Sequence, residues 1–166
     1  MRLSLAVVAL SATAAASSLL SARQTAPGGA ACAVTIQNRP GDAFGNSLLS
    51  VAGLWPDGTI VFKPGGPGFV TSDGSLGMKF LWTRSAPGRL NVTGHRLDGT
   101  AAPLRLEANA AYGGIGIQPS YLIFPAPGCW EITGQIGERE DSRISFVTKI
   151  VKVGDGPTWR RDPPRN

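Results

Sequence analysis

The sequence predicts an all-β fold, an antiparallel immunoglobulin-like β-sandwich of about eight or nine short strands. Three observations point there. Glycine (22) and proline (13) are abundant while only 16% of residues are charged, a balance that starves helices and supplies turns. Short runs of alternating apolar and polar residues recur between turn signals. No window of roughly 11 residues keeps a helical period. A small β-barrel is the alternative, because antiparallel alternation does not distinguish the two closures.

Residues 1–22 read as an export signal. Arg2 precedes the apolar run Leu3–Leu10, and small residues follow in Ser11–Ser18, with Ala12-Thr13-Ala14 as one cleavage context. The same stretch, uncleaved, would be a weak membrane anchor, since it is rich in Ser, Thr and Ala. Residues 23–31 form a connector. The β domain is placed at 32–153, and 154–166 is read as a flexible tail with Trp159 as its docking point.

Within the domain, Ala33–Gln37 is a short edge segment. Leu48–Trp55 and Thr59–Pro64 flank Pro56-Asp57-Gly58, which predicts a hairpin because Asp and Gly accept the backbone of tight turns. Met78–Thr83 and Arg89–Leu97 flank Ser85-Ala86-Pro87-Gly88 and predict a second hairpin. Leu104–Ala110 alternates over its first half, and Ser120–Pro125 follows a glycine-rich stretch. Cys129–Ile136 places Trp130, Ile132, Gly134 and Ile136 on one face. Ile144–Val153 closes a final hairpin.

The two cysteines, Cys32 and Cys129, are read as one disulfide, as expected where thiols oxidise. It would tie the start of the domain to its penultimate strand, at the rim and not across the core. The competing roles are thin. A nucleophilic thiol needs a histidine, and the chain has only His95. A metal site lacks any close-spaced ligand pair. Lipidation of Cys32 fits poorly with the polar stretch separating it from the apolar run.

Four stretches, GLWPDGTIVFKPGGPGF (53–69), DGSLGMKFLW (73–82), GHRLDG (94–99) and FPAPGCWEITG (124–134), give a resemblance. Together they resemble a family of exported bacterial proteins, many of them lipoproteins, with which no activity is associated. The resemblance implies a compact β domain outside the cytoplasm and carries over no catalytic residue.

The candidate chemistry has bland counterparts. His95 and Asp98 superficially suggest a dyad, but a strand would put them on opposite faces. Asp57, Asp73 and Asp98 each stand in a D-G-[ST] triplet, which could serve calcium yet is what tight turns demand anyway. Trp55, Trp82, Tyr112 and Tyr121 are the candidate ligand contacts, as a stacking platform for sugars; core packing is the competing role. Glu107 and Glu131 are the strand carboxylates that a glycosidase could use, provided they stand about 5–10 Å apart. KPGGPG and YGGIGIQ lack the helix start and Lys of a phosphate loop. Asn91-Val92-Thr93 matches a glycosylation sequon in mid-strand.

The net charge of +5 reflects scarce acids and a basic tail (Arg160, Arg161, Arg165), not a basic face in the domain, which argues against nucleic acid. The sequence therefore predicts a non-enzymatic binding or structural module, secreted or held in the cell envelope, with no membrane span after signal cleavage. It assigns no cofactor, metal or catalytic residue. A cell-envelope component or carbohydrate is the expected partner, and a carbohydrate-binding module or carboxylate-dependent glycoside hydrolase is the alternative reading.

Overall fold

The structure, a computed structural model, describes residues 32–37, 42–52, 54–109 and 114–157. The predicted signal, the whole connector, Tyr112 and Trp159 lie outside the described residues. Among the described residues there is no helix and there are ten strands: β1 (Phe44–Gly45), β2 (Leu49–Ala52), β3 (Thr59–Phe62), β4 (Phe69–Val70), β5 (Leu76–Arg84), β6 (Leu90–Arg96), β7 (Arg105–Ala108), β8 (Gly116–Phe124), β9 (Gly128–Ile136) and β10 (Arg139–Lys152).

They form two open sheets. The first runs β1-β2-β5-β8-β7, with β4 also paired to β5; the second runs β3-β10-β9-β6. Neither closes into a barrel, so the sandwich is the architecture. With β2, β5, β8 and β7 in one layer and β6, β9 and β10 in the other, the order is that of an immunoglobulin-type sandwich. β3 departs from the all-antiparallel expectation: it runs parallel to β10, Thr59 opposite Lys149.

Period-two patterning builds the core. β5 alternates almost perfectly, turning Leu76, Met78, Phe80 and Trp82 inward, and β9 does the same with Trp130, Ile132 and Ile136. Phe146 of β10 sits among the rings of Phe44, Phe80 and Trp82, at centroid separations of 5.9, 6.3 and 6.3 Å. Trp82 is fully buried, and a methyl group at Gly134 would come within 2.6 Å of its ring. The facing strand therefore needs a bare glycine there. Each buried indole also finds an acceptor: Trp82 Nε1–H donates to Ser120 Oγ (2.9 Å), and Trp130 Nε1–H to the Ala126 carbonyl (3.0 Å).

Two expected hairpins are corrected. β2 and β3 lie in different sheets, as do β5 and β6, so both tight turns carry the chain across the sandwich. Asp57 and Gly58 do make a tight turn, with Gly58 N–H bonded to the Trp55 carbonyl, but the Gly58 carbonyl then accepts from Lys149 of β10. Turn chemistry fixes the reversal and not the plane in which the next strand pairs. The final hairpin, β9–β10, is formed as expected. The brief apolar pair Phe69-Val70 forms a two-residue strand on β5.

Cys32 and Cys129 are disulfide-bonded, Cα to Cα 5.5 Å. Trp130 points inward, so Cys129 points to the outer surface of the second sheet, and the bridge does not cross the core. The Ala33–Gln37 segment forms no regular strand, yet Thr35 docks on β10: its N–H donates to the Val147 carbonyl (2.8 Å), and Val147 N–H donates to Thr35 Oγ1 (2.9 Å). In the chain-entropy account a loop of about 100 residues is worth roughly 4 kcal/mol or more before native-state strain. Replacing both cysteines by serine is expected to lower unfolding stability by about 2–4 kcal/mol. Denaturant titration checks this, and reductant added to the native protein should give the same loss.

Candidate functional site

Three surfaces carry the chemically interesting side chains. On the outer face of the second sheet, strand register sets His95 opposite Glu131, with Nε2 3.5 Å from the carboxylate and both side chains well exposed (66% and 40%). Thr93, Thr133 and Ser145 form the neighbouring row, with Thr133 and Ser145 sharing a 2.7 Å hydroxyl contact. The His95–Asp98 dyad is not formed. Asp98 instead accepts from Arg96 Nε at 2.7 Å, which together with the Cys129 backbone N–H lowers its pKa. The His95–Glu131 pair was not legible in the sequence, because it depends on the register of two strands more than thirty residues apart.

The D-G-[ST] aspartates serve turns. Asp57 Oδ1 accepts from Thr59 N–H at 3.0 Å. Asp73 has both oxygens occupied: Oδ1 accepts from the Thr71 hydroxyl and from Ser75 N–H (3.0 Å), and Oδ2 from Arg105 (2.9 Å). The Thr71 hydroxyl, the Ser75 backbone N–H and the Arg105 guanidinium hold its carboxyl far below the usual range. This spends the donor atoms that calcium would need. Among the described residues, no three His, Cys, Asp or Glu side chains gather as a metal site.

The outer face of the first sheet is different. Its central strands turn Lys79, Leu81 and Thr83 of β5, and Ile117, Pro119, Tyr121 and Ile123 of β8, away from the core. Leu81 lies opposite Pro119 on one side and Ala52 on the other, making an apolar row across three strands. Ile117 is 65% exposed and Leu81 40%. Tyr121 stands between Lys79 and Glu107 in register and packs edge-on against Phe69, centroids 5.2 Å apart. Phe69 in turn lies over Gly77, where a Cβ would collide with its ring.

The aromatic candidates thus separate. Of Trp82's two candidate roles, ligand contact and core packing, the structure has the second: it is fully buried between the sheets and offers no face. Trp55 is half-buried at the rim of the core, 6.4 Å from the Phe80 ring. Tyr121 alone of the described candidates lies on an outer face. Glu107 and Glu131 belong to opposite outer faces, separated by the whole thickness of a sandwich whose sheets pack about 10 Å apart. They do not converge. Leu81 and Ile117 are the functional candidates that were overlooked; the outward half of each alternating run already named them.

No protein-family model, curated protein or solved structure matches the chain.

The Asp73 cluster yields a pH dependence. Its folded-state pKa is depressed, so its stabilisation is complete above the ordinary carboxylate value of about 3.9 and is lost as pH falls below it. Asp73→Asn should cost on the order of 1 kcal/mol at pH 7, screening at a half-exposed carboxylate included, or a few degrees in Tm. That deficit should narrow as pH falls from 4 to 2, as read by melting curves of both proteins across the range.

Proposed function

We propose that the chain is a non-enzymatic binding module that works outside the cytoplasm, akin to the exported bacterial proteins it resembles. The observation that carries this reading is the grouping of Leu81 and Ile117 with Pro119 and Ala52 on one outer face. Single exposed apolar residues are ordinary, but a contiguous group on a flat sheet marks a contact surface. Tyr121, Lys79 and Glu107 border it and supply the polar rim that such surfaces carry.

An extracytoplasmic setting is supported by the Cys32–Cys129 bridge, which persists in oxidising compartments, and by the signal-like residues 1–22. No helix among the described residues is long and apolar enough to cross a membrane. The hydrolase alternative is weakened by the placement of Glu107 and Glu131 on opposite faces. The carbohydrate-binding alternative requires a second exposed ring beside Tyr121, and Trp55 and Trp82 do not supply it.

The test is retention on immobilised cell-envelope material. Leu81→Asp with Ile117→Asp should weaken retention by about tenfold or more, the value of burying one such side chain. Thr133→Ala with Ser145→Ala, on the opposite face, should leave it unchanged. Equal retention of both doubles, or release of reducing sugar by the protein, would count against this reading.

A further inference from the structure

β10 is the longest strand, fourteen residues, and its two edges are treated unequally. β9 pairs along one edge from Ile144 to Ile150. On the other, β3 covers only Lys149–Lys152. The stretch from Asp141 to Val147 must find partners elsewhere, since a strand edge leaves a row of open N–H and C=O groups.

Those partners are makeshift. Val147 directs both backbone groups away from β9 and gives them to Thr35. Strand parity sends the backbone groups of Ser145 and Arg143 the same way. The Asn46 carboxamide lies within 3.3 and 3.4 Å of the Asp141 and Arg143 carbonyls. Between Asn46 and Thr35, no described residue bonds the Ser145 backbone. Besides the two Thr35 bonds, its segment is held by the Cys32 bridge, by Val34 resting on Gly58 and by Gln37 Nε2–H donating to the Asp42 carbonyl, and it leaves Ile36 63% exposed.

We propose that the β10 edge from Arg143 to Val147 is a strand-addition site for an extended peptide of a partner polypeptide, occupied at one end by the chain's own residues 34–36. An added strand would bond Ser145 and Val147. Its alternate side chains would reach the half-buried Phe44, which packs beside Phe146 of this strand. That defines the ligand: extended, with an apolar residue at every second position. The chain's own Val34-Thr35-Ile36 has this character. The site is independent of the apolar face of the first sheet.

The test uses the full chain and keeps the bridge. Thr35→Pro removes both the N–H and the hydroxyl that occupy Val147 while leaving Cys32–Cys129 in place. The probe is a capped synthetic hexapeptide of residues 32–37 with serine for the cysteine. In Thr35→Pro, exchange of the Val147 amide should quicken on the order of tenfold, the loss of one net hydrogen bond. The peptide should then slow exchange at both Ser145 and Val147. It should bind the unsubstituted protein on the order of tenfold more weakly, and a proline version of the peptide should not bind. No binding by either protein, equal binding by both, or protection at residues away from β10 would overturn the assignment. Thr35→Ala is the second variant should Thr35→Pro fail to fold: it removes only the hydroxyl, so exchange of the Val147 amide should quicken likewise, while peptide binding should rise by less than in Thr35→Pro because the backbone N–H still holds the Val147 carbonyl. Self-association of the variant through β10 without peptide would overturn it too, making a second copy the occupant.

Discussion

The two sheets are held at one distance by the fit of Trp82 of β5 onto Gly134 of β9. An indole is too large for a gap that also admits a side chain opposite, so the glycine is a packing requirement. Around it Phe146, Phe80 and Phe44 fill the remaining space with tilted and edge-on contacts. Antibody-type domains join their sheets between the corresponding strands with a disulfide through the core. Here the apolar fit supplies that join, and the cysteine pair is released for another purpose. Cys129 sits one residue before the inward Trp130, and so faces outward, where it fastens the segment beginning at Cys32.

The fastening matters because of how β10 is used. A sandwich whose first strand divides between the sheets, β2 in one and β3 in the other, cannot cover the whole of the last strand with either part. The uncovered length has to be satisfied by whatever is near, here a side chain from the β1–β2 turn and a tethered residue. Asn46 holds its own turn as well, accepting from the Leu48 and Leu49 N–H groups at 2.9 Å. One amide therefore ties the edge of the first sheet to the edge of the second. Edges covered by such separate devices resist aggregation without forming a continuous ladder.

Much of the architecture was legible because two-residue periodicity is a local property. Met78–Thr83, Cys129–Ile136 and Ile144–Val153 each fall in a long strand, and in Cys129–Ile136 the inward residues are those expected. The disulfide was legible from compartment logic. What could not be read was which strand lies beside which. Pro56-Asp57-Gly58 reverses the chain equally well within a sheet or between sheets, and only the burial of both flanks decides. The parallel β3–β10 pair and the His95–Glu131 contact depend on such pairings across long separations. Trp82 shows the same limit: its place in an apolar run left core packing and ligand contact both open, and only the packing of β5 against the facing sheet makes it core.

The unlike outer faces bear on orientation. The second sheet presents short polar side chains, Asn91, Thr93, Thr133 and Ser145, and receives the bridge to Cys32. The first presents Leu81, Pro119 and Ile117 to solvent. The bridge to Cys32 thus lies on the polar side of the sandwich, and the apolar row lies on the other. The asymmetry follows from placing the cysteine at an outward position of β9 while the outward positions of β5 and β8 are filled with leucine, isoleucine and proline.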